Sequence, residues 1–420
     1  VIFATKERPV YVDLNKNLTD EQKAIKQRAH EFAAQVLRPA SIELDRQSPE
    51  DVIAKGSKLW DVFRTAYSEG WHIRGFPTEL GGTHLDTLSS HIVNEEWGWG
   101  SSDFSIALSV TSFPFAFAAG QRNPQIIEEV VMPFVEDKEG KYIGCWAITE
   151  PQHGSDTLMP GTSMWQKPEI HYDLTATLDG DDYVLNGQKS AWVSNGTIAT
   201  HALAFLGVDR KRGMAGGGVA LVPLNLPGVT KGPPLNKIGQ RALNQGEIFF
   251  DNVRIPKAYM FVPPEAYTFA IDSVLAGANA FMGSTFTGLA RAAFEEALVY
   301  AGGRIQGGVP LTSHQLVQKK LFDMFTKVEL ARHMSRQTML YNEGAFPPGT
   351  QYSIASKVFC TQTAFENASE AIQLHGGYGL TKEMLVEKLF RDARAAMIED
   401  GSNDILSLTA AQKVIEQYVP

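Results

Sequence analysis

The sequence predicts an α+β chain built in three successive parts: helical, then β, then helical again. Three observations carry this. Apolar residues recur at steps of three and four in the first part, alternate in short runs after about Gly144, and return to the helical period after about Pro256. The expected domains are residues 1–143, 144–258 and 259–420. No internal repeat or low-complexity linker divides them, so they are expected to pack as one assembly.

Thr19 followed by Gln22 fits a capping box, in which two side chains satisfy free donors at a helix start. Ile25, Ala29, Phe32 and Val36 then form an amphipathic stripe expected to end at Pro39. Residues 59–66 and 89–97 continue in that style, 113–120 is apolar with small residues, and 124–134 reads as another helix. In the second part Leu174, Ala176 and Leu178 alternate, the turn Asp179-Gly180-Asp181-Asp182 follows, and Tyr183 and Leu185 alternate again, a hairpin signal. Strand-like runs follow at 202–208, 218–223 and 246–251. In the third part Val317, Leu321, Phe325 and Val328 form one stripe, and 355–374 and 407–418 read as long helices.

With 420 residues and 44% hydrophobic content the chain can bury a sizeable core. Its 38 basic and 47 acidic residues give a net charge of −9 with no long run of either sign. Nucleic acid demands a basic stripe and is not expected as a partner; an anionic ligand stays open, because local donors outweigh net charge. Cys145 and Cys360 stand far apart, so neither a disulfide framework nor a zinc spacing exists and no metal site is expected. Residues 105–119 carry polar and Pro interruptions and fall short of a membrane span. Residues 1–17 have mixed charge and no signal-peptide core. The expectation is a soluble protein of the cytoplasm, or of the mitochondrial matrix in a eukaryote.

Four segments carry chemistry. In Thr149-Glu150-Pro151-Gln152-His153-Gly154-Ser155-Asp156, hydroxyls and free backbone amides suit the polar edge of a flat heteroaromatic ligand, or equally a polar β-to-loop crossover. In Ala191-Trp192-Val193-Ser194, an indole beside a hydroxyl can stack on a ring and bond its edge, or form a strand with a core Trp. His375-Gly376-Gly377-Tyr378-Gly379 allows close backbone approach, with His375 itself read as a packed histidine. Glu399-Asp400-Gly401-Ser402-Asn403-Asp404 reads alone as an exposed capping loop.

Together and in order, these segments resemble the acyl-CoA dehydrogenase family over nearly the whole chain. Thr149-Glu150-Pro151 with Gly154-Ser155-Asp156 is similar to its first signature, and Gly376-Gly377-Tyr378-Gly379 with Arg391-Asp392-Ala393 to its second. The resemblance implies a helical domain, a central β domain and a C-terminal four-helix bundle. It also implies FAD as cofactor, an acyl-CoA substrate, an electron-transfer flavoprotein as acceptor and a homotetramer. By position it implies flavin contacts from Thr149, Trp192, Ser194 and Ser402, and a CoA contact from Ser155. Arg304 and Gln315 match positions that reach the FAD of a neighbouring subunit, and Gly376 and Gly377, on the FAD side, would let backbone approach the adenosine diphosphate.

The departures are informative. The family's usual base is a Glu before Gly-Thr; here the place is held by Asp400 before Gly401-Ser402, with Glu399 as a neighbour that competes if the register slips. A second base location used by some members falls at about Ala278, which cannot act. The Asp and Arg that usually hold CoA align near Ala276 and Asn279, the Phe expected after Arg304 is missing, and 164–168 reads as an extra surface loop. Asp at the base resembles dehydrogenases of alicyclic acyl-CoAs, such as cyclohexanecarboxyl-CoA, and also the nitroalkane oxidases. The rival readings are therefore a nitroalkane oxidase-like flavin enzyme and a non-enzymatic relative that keeps the fold.

Overall fold

The computed structural model describes residues 17–418. The reading of the first segment as lacking a signal core rests on residues 1–16, which lie outside the described residues. The N-terminal part holds α1 (Asp20–Phe32), α2 (Arg38–Leu44), α3 (Pro49–Ile53), α4 (Lys58–Ser68), α5 (Thr87–Gly100), α6 (Ser102–Thr111), α7 (Phe113–Gly120), α8 (Pro124–Ile126) and α9 (Met132–Val135). Thr19 and Gln22 form the expected capping box. The helix does not end at Pro39. A π turn at Ala33–Leu37, with the Arg38 N–H bonded to the Ala33 carbonyl, carries the chain on, and Pro39 enters α2 near its first position, where a missing donor costs least.

The run expected to fall short of a membrane span does reach that length and hydropathy as Ser102–Gly120. It is two helices broken at Ser112, and 67% of its apolar window is buried in the protein, so it serves as core.

The central part is one sheet in the order β6-β7-β3-β1-β4-β5-β8, with β2 paired to β3 and β4. The strands are β1 (Gly144–Ala147), β2 (Thr175–Asp179), β3 (Asp182–Ser194), β4 (His201–Gly207), β5 (Gly217–Pro223), β6 (Val229–Lys231), β7 (Gln245–Pro256) and β8 (Met260–Val262). The hairpin closes with Asp179 opposite Asp182, and Gly180 takes the positive φ of 65° that the tight turn needs. The 164–168 segment is not merely a surface loop: Trp165 is 1% exposed, donates its indole N–H to the Asp156 carbonyl at 2.9 Å and stacks on Tyr267.

The last part comprises α10 (Pro264–Gly303), a short hairpin of β9 (Ile305–Gln306) and β10 (Val309–Pro310), then α11 (Gln315–Asn342), α12 (Thr350–His375), α13 (Leu385–Ala396) and α14 (Asn403–Tyr418). Close approach of α10 to α5 depends on absent side chains. A Cβ on Gly98 would lie 1.9 Å from the Thr285 carbonyl oxygen. Buried residues run through all three parts as one continuous core.

Candidate active site

A cavity of about 870 Å³ opens where the three parts meet. The β part supplies the Thr149–Ser155 crossover after β1 and the Trp192–Ser194 end of β3; the other walls are the 235–240 segment, the Leu275–Ala278 turn of α10 and the 399–401 loop after α13. Thr149, Ser155, Trp192, Ser194, Glu399 and Asp400 all line it.

Each wall has a local cause. The register of β3 against β7 shifts between Lys189 and Val193, and this bulge lifts Trp192 out of the ladder. Its side chain is 56% exposed, so an indole face is open to the cavity. Ser194 Oγ accepts the Gln245 side-chain amide at 3.2 Å. The crossover is held from beneath by Glu150, which is buried and accepts the backbone N–H of Asp173 at 2.6 Å and Leu174 at 3.0 Å, and the Lys189 ammonium at 2.7 Å. Thr149 is fixed by its carbonyl, which accepts the Ser190 N–H at 2.9 Å.

The loop carrying Asp400 is tied on both sides of that residue, at Glu399, Gly401 and Ser402. Glu399 Oε1 accepts the Gln240 amide at 2.5 Å. The Gly401 carbonyl accepts the Lys357 ammonium at 2.7 Å, which also donates to Asn403 Oδ1 at 2.8 Å. Ser402 donates its backbone N–H to Ser155 Oγ at 2.9 Å. Asp400 and Gly401 both take positive φ, 52° and 98°. Asp tolerates that region better than most residues, and a Cβ on Gly401 would lie 2.8 Å from Leu406. The opposite wall, Ile238–Gln240, docks on α13 through Gly239, whose Cβ would meet the Arg391 backbone at 2.5 Å.

Asp400 is reached by water through the open cavity. Protein mass around it nonetheless pushes its carboxyl above the ordinary Asp range, with the Lys357 charge pulling the other way. Burial, then the like charge of Asp400, pushes Glu399 up to about 7. Burial lowers Lys357 to about 8. The cavity brings the carboxylates of Glu399 and Asp400 together with an exposed indole and the hydroxyl residues Thr149, Ser155 and Ser194, and with apolar lining from Ile106, Val110 and Phe113. That donor set fits a flat heteroaromatic cofactor on one side and an acyl group on the other.

Other predicted residues stand elsewhere. Arg304, Gln315, Gly376 and Gly377 are exposed and do not line the cavity. They share one end of the C-terminal helices: Leu311 N–H bonds the Arg304 carbonyl, and Tyr300, one turn before Arg304, stacks on His375 at 4.1 Å. His375 is packed, its Nδ1 2.8 Å from the Ala371 carbonyl. Ala276 and Asn279 are buried within α10 rather than in the cavity wall, whereas Ala278 does line it. Residues missed by sequence reasoning are Gln240, Lys357 and the Glu150–Lys189 pair. Lys189 had a signal, since strand alternation puts it on the face of the buried Leu185.

A three-part chain folded around a cavity of this composition is suited to an enzyme that holds a flat cofactor beside an acidic side chain. Family models for the acyl-CoA dehydrogenase N-terminal, middle and C-terminal domains match residues 19–119, 145–253 and 270–415. The short-chain specific acyl-CoA dehydrogenase of Rattus norvegicus mitochondria is 30% identical over 409 residues, 96% of this chain and 92% of its own. The cyclohexane-1-carbonyl-CoA dehydrogenase of Geobacter metallireducens is 27% identical over 412 residues, 96% and 99% of the two chains. The solved butyryl-CoA dehydrogenase of Megasphaera elsdenii superposes with a TM-score of 0.83 at 26% identity, covering 96% of this chain and 100% of that one. The chain belongs to the acyl-CoA dehydrogenase family. It is an oxidoreductase that dehydrogenates an acyl-CoA, and its cofactor is FAD.

Proposed function

We propose that Asp400 is the base that takes the α-proton of the bound acyl thioester, in a site that favours a ring-bearing acyl group. The carrying observation is that the loop holding Asp400 is tied at Glu399, Gly401 and Ser402, beside a cavity that Asp400 lines together with Thr149, Trp192 and Ser194. FAD, when bound, supplies the acceptor for the β-hydride. Thr149 and Ser194 would bond its edge, Trp192 would lie against its ring, Ser402 would complete the contacts, and Ser155 would meet the CoA arm. Ala278, at the second base location, lines the same cavity without an ionisable group.

An Asp withdraws its carboxylate by about 1.5 Å relative to Glu, and proton abstraction tolerates little misplacement. A bulky ring on the α-carbon brings the proton to the shorter base. The cyclohexane-1-carbonyl-CoA dehydrogenase among the relatives supports that reading. An electron-transfer flavoprotein as acceptor, and action in the cytoplasm or mitochondrial matrix, complete the proposal. A homotetramer is supported by exposed Leu316, Phe322 and Leu330 on α11 and Leu408 and Ile415 on α14. Arg304 and Gln315 would then reach a neighbour's FAD, and Gly376 and Gly377 would let backbone approach the adenosine diphosphate of FAD.

The test is anaerobic bleaching of the flavin by straight-chain and cyclic acyl-CoAs, beside nitroethane with oxygen. Bleaching by cyclic acyl-CoAs, lost in Asp400→Asn with FAD retained, is expected. Bleaching by nitroethane alone would overturn the dehydrogenase assignment of this site, and full activity in Asp400→Asn would show another base.

A further inference from the structure

We infer that Glu399 is a specificity-determining residue, selecting acyl-CoAs whose acyl group carries a hydrogen-bond donor, a hydroxyl or an ammonium, a few bonds from the carbon that Asp400 deprotonates. This rests on Asp400 being the base. Glu399 immediately precedes it, so their Cα atoms stand about 3.8 Å apart, and both side chains line the same cavity.

Glu399 is not loose in that wall. Its Oε1 accepts the Gln240 amide at 2.5 Å. Gln240 is itself held by Asp392, through its backbone N–H to Oδ1 at 2.5 Å and its side-chain amide to the carbonyl at 3.3 Å. Among the described residues no donor reaches Glu399 Oε2. The two nearby ammoniums are committed elsewhere. Lys237 donates to the Leu243 carbonyl at 2.6 Å and Gln245 Oε1 at 2.9 Å, and Lys357 to Gly401 and Asn403. Asp400, the remaining charged neighbour, is an acceptor that repels it.

While water fills the cavity, Oε2 is solvated. An acyl group that fills it expels that water. A plain alkyl group then leaves the oxygen unpaired, whereas a donor replaces the lost bond. Sites built around such a bond reject the analogue that lacks it, here by about 10- to 100-fold in kcat/KM. The upward push on Glu399 leaves its proton state adjustable, which makes a keto group, an acceptor only, the informative control.

The experiment uses the purified flavin-loaded enzyme with straight-chain and ring-bearing acyl-CoAs, each beside its hydroxyl-, amino- and keto-substituted counterpart. It measures kcat/KM, and by calorimetry the affinity for unreactive thioether analogues of the same series. The expected result is a preference for the hydroxyl or amino member of at least about tenfold in both readouts. Glu399→Leu should level it, and Glu399→Gln, whose one oxygen stays with the Gln240 amide so that its NH2 takes the place of Oε2, should lose it for the ammonium and bring the keto member level with the hydroxyl. Preference for the plain or keto member, or an unchanged ratio in both variants, would overturn the inference while leaving Asp400 in place. If no acyl-CoA bleaches the wild-type flavin, the base assignment falls and this inference with it.

Discussion

Ser155 Oγ accepts the backbone N–H of Ser402 at 2.9 Å, joining the crossover of the β part to the loop that carries Asp400. The two residues are 247 positions apart in sequence. The bond therefore reports how the β and C-terminal helical parts are set against each other at the reacting carbon. Ser155→Ala removes the acceptor and leaves the N–H to the cavity. One such bond is worth roughly 1 kcal/mol, so kcat for flavin reduction should fall about fivefold while FAD content stays unchanged. An unaltered kcat with only a raised KM would mean that Ser155 serves CoA alone and does not position the base.

Asp400 must be deprotonated to act, so activity rises with pH through its pKa. Burial raises that pKa and the Lys357 charge lowers it. The acidic limb of kcat/KM should therefore stand above the ordinary Asp range, and Lys357→Met should move it further up. Asp400→Asn should lower the reductive half-reaction by on the order of 10²- to 10⁴-fold. Stopped-flow flavin absorbance over a pH series checks both. A limb that moves down in Lys357→Met would show that the lysine acts on a different group.

Much of this was legible in sequence, and the gaps have physical causes. The capping box, the hairpin and the stripe containing Leu321 and Val328 depend on local periods, and each appears where its pattern places it. The longest helix, α10, has no stripe because small and apolar residues are buried on all its sides. The end expected at Pro39 failed because a π turn shifts the bonding pattern, which no side-chain period announces. In the site, the cavity-lining residues Thr149, Ser155, Trp192, Ser194 and Asp400 came from motifs. Gln240 and Lys357 did not, since they act through contacts 159 and 44 residues away in the chain.

Beneath the crossover, the Glu150–Lys189 pair has both side chains fully buried. Burial lowers Lys189 to about 8, and Glu150 counters this by attraction and a hydrogen bond. Removing one partner strands the other: Lys189→Met should cost about 3–5 kcal/mol. The Glu150→Gln, Lys189→Met double variant should recover part of that loss, because no charge is left unpaired. Denaturant midpoints of Lys189→Met, of Glu150→Gln alone and of the double variant provide the check, with strict additivity counting against the coupling.

Glu399 also makes a stability prediction with a definite sign. Its pKa rises on folding from an ordinary 4.5 to about 7, through burial first and the charge of Asp400 second. Below the unfolded value both states bind the proton and nothing is lost. As pH climbs through this window the unfolded chain ionises first, so the folded state loses stability up to about pH 7 and stays lower beyond it. Glu399→Gln keeps an acceptor for Gln240 and removes the charge. It should therefore be more stable than wild type by about 1 kcal/mol at pH 8, discounted from the full shift because Glu399 is partly exposed. The difference should vanish near pH 4. In an Asp400→Asn background the like charge is gone, so the same substitution should gain less at pH 8. An equal gain in both backgrounds would mean that Asp400 contributes nothing to the shift and that burial alone sets it.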